Sequence, residues 1–112
     1  MLMTVAELSE YQERAEKLVA EGERLDIVNY VAAFPMAGDL IRGTGGVRKL
    51  RWRRGSTGKS GVVRVIYYFH SEIMPLYLLT LFAKNERADL TQAQRNALAK
   101  LVKILVNSAS GG

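Results

Sequence analysis

The sequence predicts a single α+β domain over residues 1–112, built on a small antiparallel sheet with a mixed edge, two helices before it and one after it. Three observations lead to this fold class. With 112 residues, 48% of them hydrophobic, the chain can fill one core and is short for two. Three consecutive middle segments have the apolar alternation of strands, and the flanking segments carry apolar residues at helical spacing. The strand segments are VRKLRWRR, VVRVIYYFH and PLYLLTLFAK.

The part of the chain before these strands predicts a short edge strand and two helices. Residues 1–6 are mostly apolar and suit an edge strand. An apolar stripe at helical period begins after Ser9, and Gly22 predicts a break before a second helix. That helix ends before Pro35, because proline disfavours helical geometry in the preceding residue. The stripes consist of Tyr11, Ala15, Leu18 and Val19, then Leu25, Val28, Val31 and Ala32.

Glycine-rich segments and a capping box mark the remaining boundaries. The segment Gly43-Thr44-Gly45-Gly46 predicts a plain loop, because it lacks the strand, helix and Lys-Ser/Thr pair of a phosphate-binding P-loop. Residues 55–61 predict a flexible hairpin loop. Thr91 and Gln94 have the spacing of a capping box and predict the start of the last helix. Residues 108–112 are small and polar and predict a disordered end.

Positive charge is concentrated on the predicted strands. The net charge is +5, but seven of the 11 acids lie before residue 27, and none lies between Asp39 and Glu72. A localised cationic surface of this kind is typical of a site that receives phosphate. Eight of the 16 Lys and Arg residues fall in that acid-free span: Arg42, Arg48, Lys49, Arg51, Arg53, Arg54, Lys59 and Arg64.

The composition excludes several classes of chemistry. The chain has no cysteine, which rules out disulfides, thiol catalysis and the usual structural zinc sites. Its one histidine, His70, cannot build a histidine-rich metal site or a paired-histidine ribonuclease, so no metal and no cofactor is expected. No apolar run approaches the ~20 residues of a membrane span. The first residues do not resemble a secretory leader, so a cytoplasmic location and no membrane partner are expected.

Strand parity sorts the cations by face, because side chains alternate across a strand. Leu50 and Trp52 share a face and are expected to enter the core, with Trp52 packing there rather than stacking on a base. Lys49, Arg51 and Arg53 then lie on the opposite face. If Val63, Val65, Tyr67 and Phe69 face the core, Arg64 and Tyr68 lie on the same side as Lys49 and Arg51.

Four sequence motifs together resemble the RelE/ParE toxin superfamily, and most closely its RelE-like, HigB-type branch. The resemblance covers residues 35–105 and implies a RelE-like fold and the toxin of a type II toxin–antitoxin system. It further implies a ribosome-dependent endoribonuclease (an mRNA interferase) that inhibits translation. The expected partners are a cognate antitoxin, the ribosome and mRNA, with one toxin chain in the toxin–antitoxin complex. The motifs are Ala37-Gly38-Asp39-Leu40-Ile41, Gly43 to Trp52, Arg64-Val65-Ile66-Tyr67-Tyr68 and Ala83-Lys84-Asn85-Glu86.

The resemblance also implies roles for individual residues. Arg64 matches the arginine that stabilises the transition-state phosphate, and Lys49 is assigned to proton transfer, on the condition that like-charged neighbours lower its pKa. Arg51 and Lys84 are assigned to positioning of the RNA backbone. The family pattern has an arginine and a tyrosine where this chain has Asn85 and Leu90, so the general acid is unassigned, with Tyr68 and His70 as alternatives. Further RNA contacts are expected from Arg48, Arg53, Arg54, Lys59, Tyr68 and Asn85.

Two other functions fit the same residues. A ParE-type inhibitor of DNA gyrase shares the fold, but cations on the strand face, such as Arg51 and Arg64, disfavour it. A non-catalytic RNA-binding or ribosome-binding protein would have the same cationic surface without cleavage. Loss of cleavage in Arg64→Ala with retained ribosome affinity would separate the nuclease from the binder.

Overall fold

The described part of the chain, residues 3–55 and 61–109, forms a mixed five-stranded sheet and three helices in our computed structural model. The three central strands lie where the sequence predicts them, while the short strand β2 was not predicted. None of the described helices is long and apolar enough to cross a membrane. The elements are β1 (Val5–Glu7), α1 (Ser9–Leu18), α2 (Glu21–Ala33), β2 (Asp39–Leu40), β3 (Val47–Arg53), β4 (Val62–Tyr68), β5 (Leu76–Ala83) and α3 (Gln92–Ala109).

The strands are ordered β1-β5-β4-β3-β2. β1 is parallel to β5, with Val5 paired to Leu76, and the other neighbours are antiparallel. β5 is therefore an inner strand and is largely buried on both faces, as its apolar sequence predicts. A register irregularity in the β4–β5 ladder leaves Leu79 between the paired residues Leu78 and Thr80, so the alternation of β5 changes phase there.

Each face of the sheet has its own core. One core contains residues of α1 and α2, among them Tyr11 and Ile27, packed on Val65 and Tyr67. The other contains α3 residues, such as Val102, packed on Val47, Ile66 and Tyr68. Leu50 and Trp52 lie on the α1 and α2 side as predicted, and the Trp52 indole N–H donates to the Glu23 carboxylate over 3.3 Å.

The break between the first two helices lies two residues before the predicted one. α1 ends at Leu18 and α2 begins at Glu21, so Val19 and Ala20 form the break. Gly22 lies in the first turn of α2 between two acids, and carboxylates favour that end of a helix. Leu25 was predicted to face the core but is 60% exposed, because the buried stripe of α2 runs through Ile27 and Val31.

The start of α3 confirms the capping box, and its end corrects the predicted tail. Gln94 N–H donates to the Thr91 hydroxyl over 3.1 Å, and Thr91 N–H donates to the Gln94 side chain over 2.8 Å. α3 continues to Ala109, so residues 108 and 109 are helical rather than disordered. Residues 110–112 lie outside the described part of the chain, as do residues 56–60 of the predicted hairpin loop.

Side chains cover the part of β5 that β1 does not reach. β1 pairs with β5 only as far as Leu78. Beyond it, Arg14 Nε donates to the Leu81 carbonyl and Glu86 accepts the Ala83 N–H, at 2.6 and 2.8 Å. Arg14 and Glu86 also form a 2.6 Å ion pair. The Ala83 amide and then the Arg14 guanidinium hold the pKa of Glu86 below its ordinary value.

A hydrogen-bonded tyrosine fixes the segment between α2 and β2. The Tyr67 hydroxyl donates to the Pro35 carbonyl and accepts the Gly38 N–H, both at 2.8 Å. A Cβ on Gly38 would lie 2.9 Å from the Tyr67 ring, so the close approach requires glycine.

The glycine loop is a tight turn between β2 and β3. Gly43, Gly45 and Gly46 have positive φ, and the buried Thr44 hydroxyl donates to the Ile41 carbonyl over 2.7 Å. The loop prediction is confirmed.

Candidate functional site

The cations of the central strands gather on the face of the sheet that α3 partly covers. We call the side chains of Lys49, Arg51, Arg53 and Arg64 the cationic face. Their placement follows the predicted parity, opposite to Leu50 and Val65 in the first core. α3 closes one end of this side of the sheet, where Val47 is fully buried, while Arg51 and Arg53 at the other end are exposed. The cationic face is therefore open to a ligand beside α3.

Two arginines lie directly opposite each other in the β3–β4 ladder. Arg51 pairs with Arg64, and directly opposed residues have Cβ atoms about 5 Å apart. Like charges in such a pair destabilise a sheet. Arg64 is half-buried, and its Nη1 atom is buried with no hydrogen-bond partner among the described residues. An anion between the two guanidinium groups would relieve both the repulsion and the missing hydrogen bond, and a phosphate fits their planar donors.

A carboxylate that sequence reasoning missed connects this face to α3. Asp89 accepts from Lys49 Nζ over 3.3 Å and from Arg95 Nη2 over 3.4 Å. The Leu90 amide lowers the pKa of Asp89 most, followed by the hydrogen bond from Lys49. Lys49 thus faces an opposite charge, in addition to the like-charged neighbours expected from sequence. No local signal marks Asp89, since it lies 40 residues from Lys49 in the chain.

The end of β5 brings two more cations towards Arg64. Phe82 is opposite Arg64 in the β4–β5 ladder, and the Arg87 guanidinium lies 5.1 Å from the Phe82 ring centre. The Lys84 N–H donates to the Val62 carbonyl, so Lys84 extends the ladder one residue beyond the Val63–Ala83 pair. Lys84 and the following Asn85 are exposed. Arg87 is an addition to the site, because sequence alone did not show that the chain turns back over Phe82.

Two of the arginines that were expected to bind RNA form hydrogen bonds with backbone carbonyls on the other face of the sheet. Arg48 Nη1 donates to the carbonyls of Met36 and Gly38 over 3.2 and 2.7 Å. Arg54 Nη1 donates to the Leu18 carbonyl at the end of α1 over 2.9 Å. Both guanidinium groups therefore hold backbone segments in place and are separated from Arg64 by the sheet.

The aromatic candidates are also corrected in part. Tyr68 lies on the predicted side of the sheet, but it is only 4% exposed and packs in the core beneath α3. Burial also raises the pKa of the Tyr68 hydroxyl. His70 is exposed, with Nδ1 3.2 Å from the Ser71 hydroxyl. Lys59 lies outside the described residues.

A cleft elsewhere on the molecule differs in charge from the cationic face. It has a volume of about 710 Å³, lies between α1 and α3, and has both acids and bases on its α1 wall, among them Glu10, Glu13 and Lys17. Its mixed charge favours a phosphate less than the cationic face does. Within residues 3–55 and 61–109 no group of acids and histidines could hold a metal ion.

No protein-family model matches the chain. The functional assignment consequently depends on the residues of the cationic face and on their geometry.

Proposed function

We propose that the chain is a RelE-like, HigB-type toxin of a type II toxin–antitoxin system, an endoribonuclease that cuts mRNA on the ribosome. The observation that carries the proposal is the Arg51–Arg64 pair in the β3–β4 ladder, together with the buried Nη1 of Arg64, which has no hydrogen-bond partner among the described residues. Two opposed guanidinium groups without a carboxylate between them are expected where a phosphodiester binds. The sequence motifs around them support the ribonuclease branch over the gyrase inhibitors.

The proposed reaction needs no metal ion. The 2′-hydroxyl of the RNA attacks the neighbouring phosphorus, and the leaving 5′-oxygen takes up a proton. The protein must stabilise the extra charge on the pentavalent phosphorane and manage the protons. In this proposal Arg64 binds the phosphorane oxygens, while Arg51 and Lys84 hold the flanking backbone.

Lys49 is assigned to proton transfer, and its contact with Asp89 holds its side chain at the cationic face. Lys49 Nζ donates to the Asp89 carboxylate over 3.3 Å. The general acid is not assigned to one residue, and its alternatives are Tyr68, which is buried, and His70, which is exposed.

The biological setting belongs to the same proposal. The toxin acts in the cytoplasm on translating ribosomes, and a cognate antitoxin binds one toxin chain and blocks it. A plain RNA-binding protein would use the same cationic face, and cleavage is what separates the two functions.

The test is primer extension on a defined message in a purified bacterial translation system, with and without ribosomes. Wild type is compared with Arg64→Ala and with Lys103→Gln, which removes a positive charge from the exposed side of α3. We expect ribosome-dependent breaks with wild type and Lys103→Gln and their loss in Arg64→Ala, while ribosome affinity stays within a few fold. An intact message during normal translation would reject the nuclease and make DNA gyrase the next target.

A further inference from the structure

The outer edge of β3 is unpaired over most of its length. β2 pairs only with Arg48 and Lys49, and no described strand continues beside Leu50–Arg53. The Arg54 N–H donates to Gly61, so by alternation residues 50 and 52 point their backbone groups towards β4. The N–H and C=O groups of Arg51 and Arg53 therefore point outward, where another strand could pair with them.

The side chains along this edge are cationic on one face of the sheet and aromatic on the other. Arg51 and Arg53 extend towards the cationic face, while Trp52 lies on the other side against Tyr30, with ring centres 5.8 Å apart. Tyr30 also contacts Phe34 at 5.2 Å, and these two rings are 39% and 57% exposed. One cleft of about 300 Å³ at the edge is lined by Tyr30, Leu50, Arg51, Trp52 and Arg53.

We propose that this edge binds an extended segment of a partner protein as an added β-strand, and that the segment alternates acidic and apolar residues. The partner residues opposite Arg51 and Arg53 lie on the cationic side, where carboxylates complement the guanidinium groups. The residue between them lies opposite Trp52, on the aromatic side, where an apolar side chain fits. The edge thus selects the order acidic, apolar, acidic.

The opposite edge of the sheet, where β5 extends beyond β1, shows how this protein protects exposed backbone groups. There Arg14 and Glu86 satisfy the backbone groups of Leu81 and Ala83 that β1 does not reach. At the β3 edge no described side chain forms a hydrogen bond with the backbone groups of Arg51 and Arg53. A protein strand is favoured over nucleic acid here. The outward N–H and C=O groups of one residue match those of a peptide backbone, whereas RNA would complement only the charge of the arginines.

The test uses short synthetic peptides and the protein alone, so that it does not depend on RNA cleavage. One peptide alternates Glu and Val, and a control of the same composition groups all Glu before all Val. Trp52 is the only tryptophan, so its fluorescence reports binding at this edge. Amide hydrogen exchange at Arg51 and Arg53 reports strand pairing. We expect the alternating peptide to bind up to about tenfold more tightly than the control, because the block order cannot place carboxylates opposite both Arg51 and Arg53 with an apolar residue opposite Trp52, and to protect both amides.

A matched pair of variants separates the backbone from the charge. Arg53→Ala removes the guanidinium, and Arg53→Pro removes the outward N–H as well, at an edge position that tolerates proline. We expect Arg53→Pro to bind the peptide about fivefold more weakly than Arg53→Ala, the effect of one lost backbone hydrogen bond. If Arg53→Pro does not fold, a peptide N-methylated at alternate residues replaces it and must bind more weakly than its parent.

Three results would overturn the proposal. They are equal binding of the alternating and block peptides, exchange at Arg51 and Arg53 that the peptide leaves unchanged, and a response of Trp52 to single-stranded oligouridine but not to the peptide. The last result would make the edge a nucleic-acid surface.

Discussion

Replacing Arg64 with glutamine is expected to stabilise the fold while it removes activity. Removal of the charge opposite Arg51 relieves a cross-strand repulsion of about 0.2–1 kcal/mol. Removal of the buried Nη1, which has no partner within residues 3–55 and 61–109, relieves about 1 kcal/mol of desolvation, the low end of the range because Arg64 is half-buried. Some packing by the aliphatic stem is lost. The net gain is about 1 kcal/mol, or about 4 °C in Tm for a chain of this length.

Scanning calorimetry and primer extension measure the two effects in the same preparations. Cleavage in Arg64→Gln should fall by at least about 100-fold, as for the loss of a transition-state hydrogen-bond donor. Sulfate at constant ionic strength should raise the Tm of wild type more than that of the variant. Lys103→Gln, with the same change in net charge, should move neither Tm nor cleavage. A fall in Tm with sulfate stabilisation intact would refute the anion-binding role of Arg64.

Three further predictions test the surroundings of the site. Tyr67→Phe should cost about 2 kcal/mol, measured by urea unfolding, because the buried Gly38 N–H and the partly buried Pro35 carbonyl lose their hydroxyl partner. Glu86→Gln should be less stable than wild type above about pH 4.5, since the pKa of Glu86 is lowered in the folded state by the Ala83 amide and Arg14. That difference should vanish as the pH falls through the folded pKa, and urea unfolding at several pH values follows it. Asp89→Asn should bind a non-cleavable RNA analogue up to about fivefold more tightly at low salt, measured by fluorescence anisotropy, because Lys49 is released. Unchanged affinity would place Lys49 outside the RNA contact.

The sequence predicted the parts of the fold that depend on local periodicity. Alternation in β3 and β4 placed Lys49, Arg51 and Arg64 on one side and Leu50 on the other, because parity is a property of each strand alone. The Thr91 capping box was visible for the same reason. The change of phase in β5 at Leu79 could not be seen, since it arises from pairing with β4.

The site was predictable only where strand geometry determines it. Arg48 and Arg54 are cations in a cationic segment, but their long side chains bond carbonyls distant in sequence. Tyr68 has the predicted parity, and its burial depends on where α3 packs. Asp89 and Arg87 join the site through loops whose paths have no periodicity to reveal them.

The parallel pairing of β1 with β5 determines when the sheet can be completed during synthesis. β3 and β4 are neighbours in the chain and can form a hairpin early, whereas Val5 must wait for Leu76. At about 5–20 residues per second, roughly 4 to 14 seconds separate the synthesis of these two residues. Throughout that interval α1 lacks β5, the inner strand against which it lies. In a nascent chain the β3–β4 hairpin, which carries Arg51 and Arg64, can therefore form before the sheet is complete. The domain folds only after the late contacts with β5 have formed.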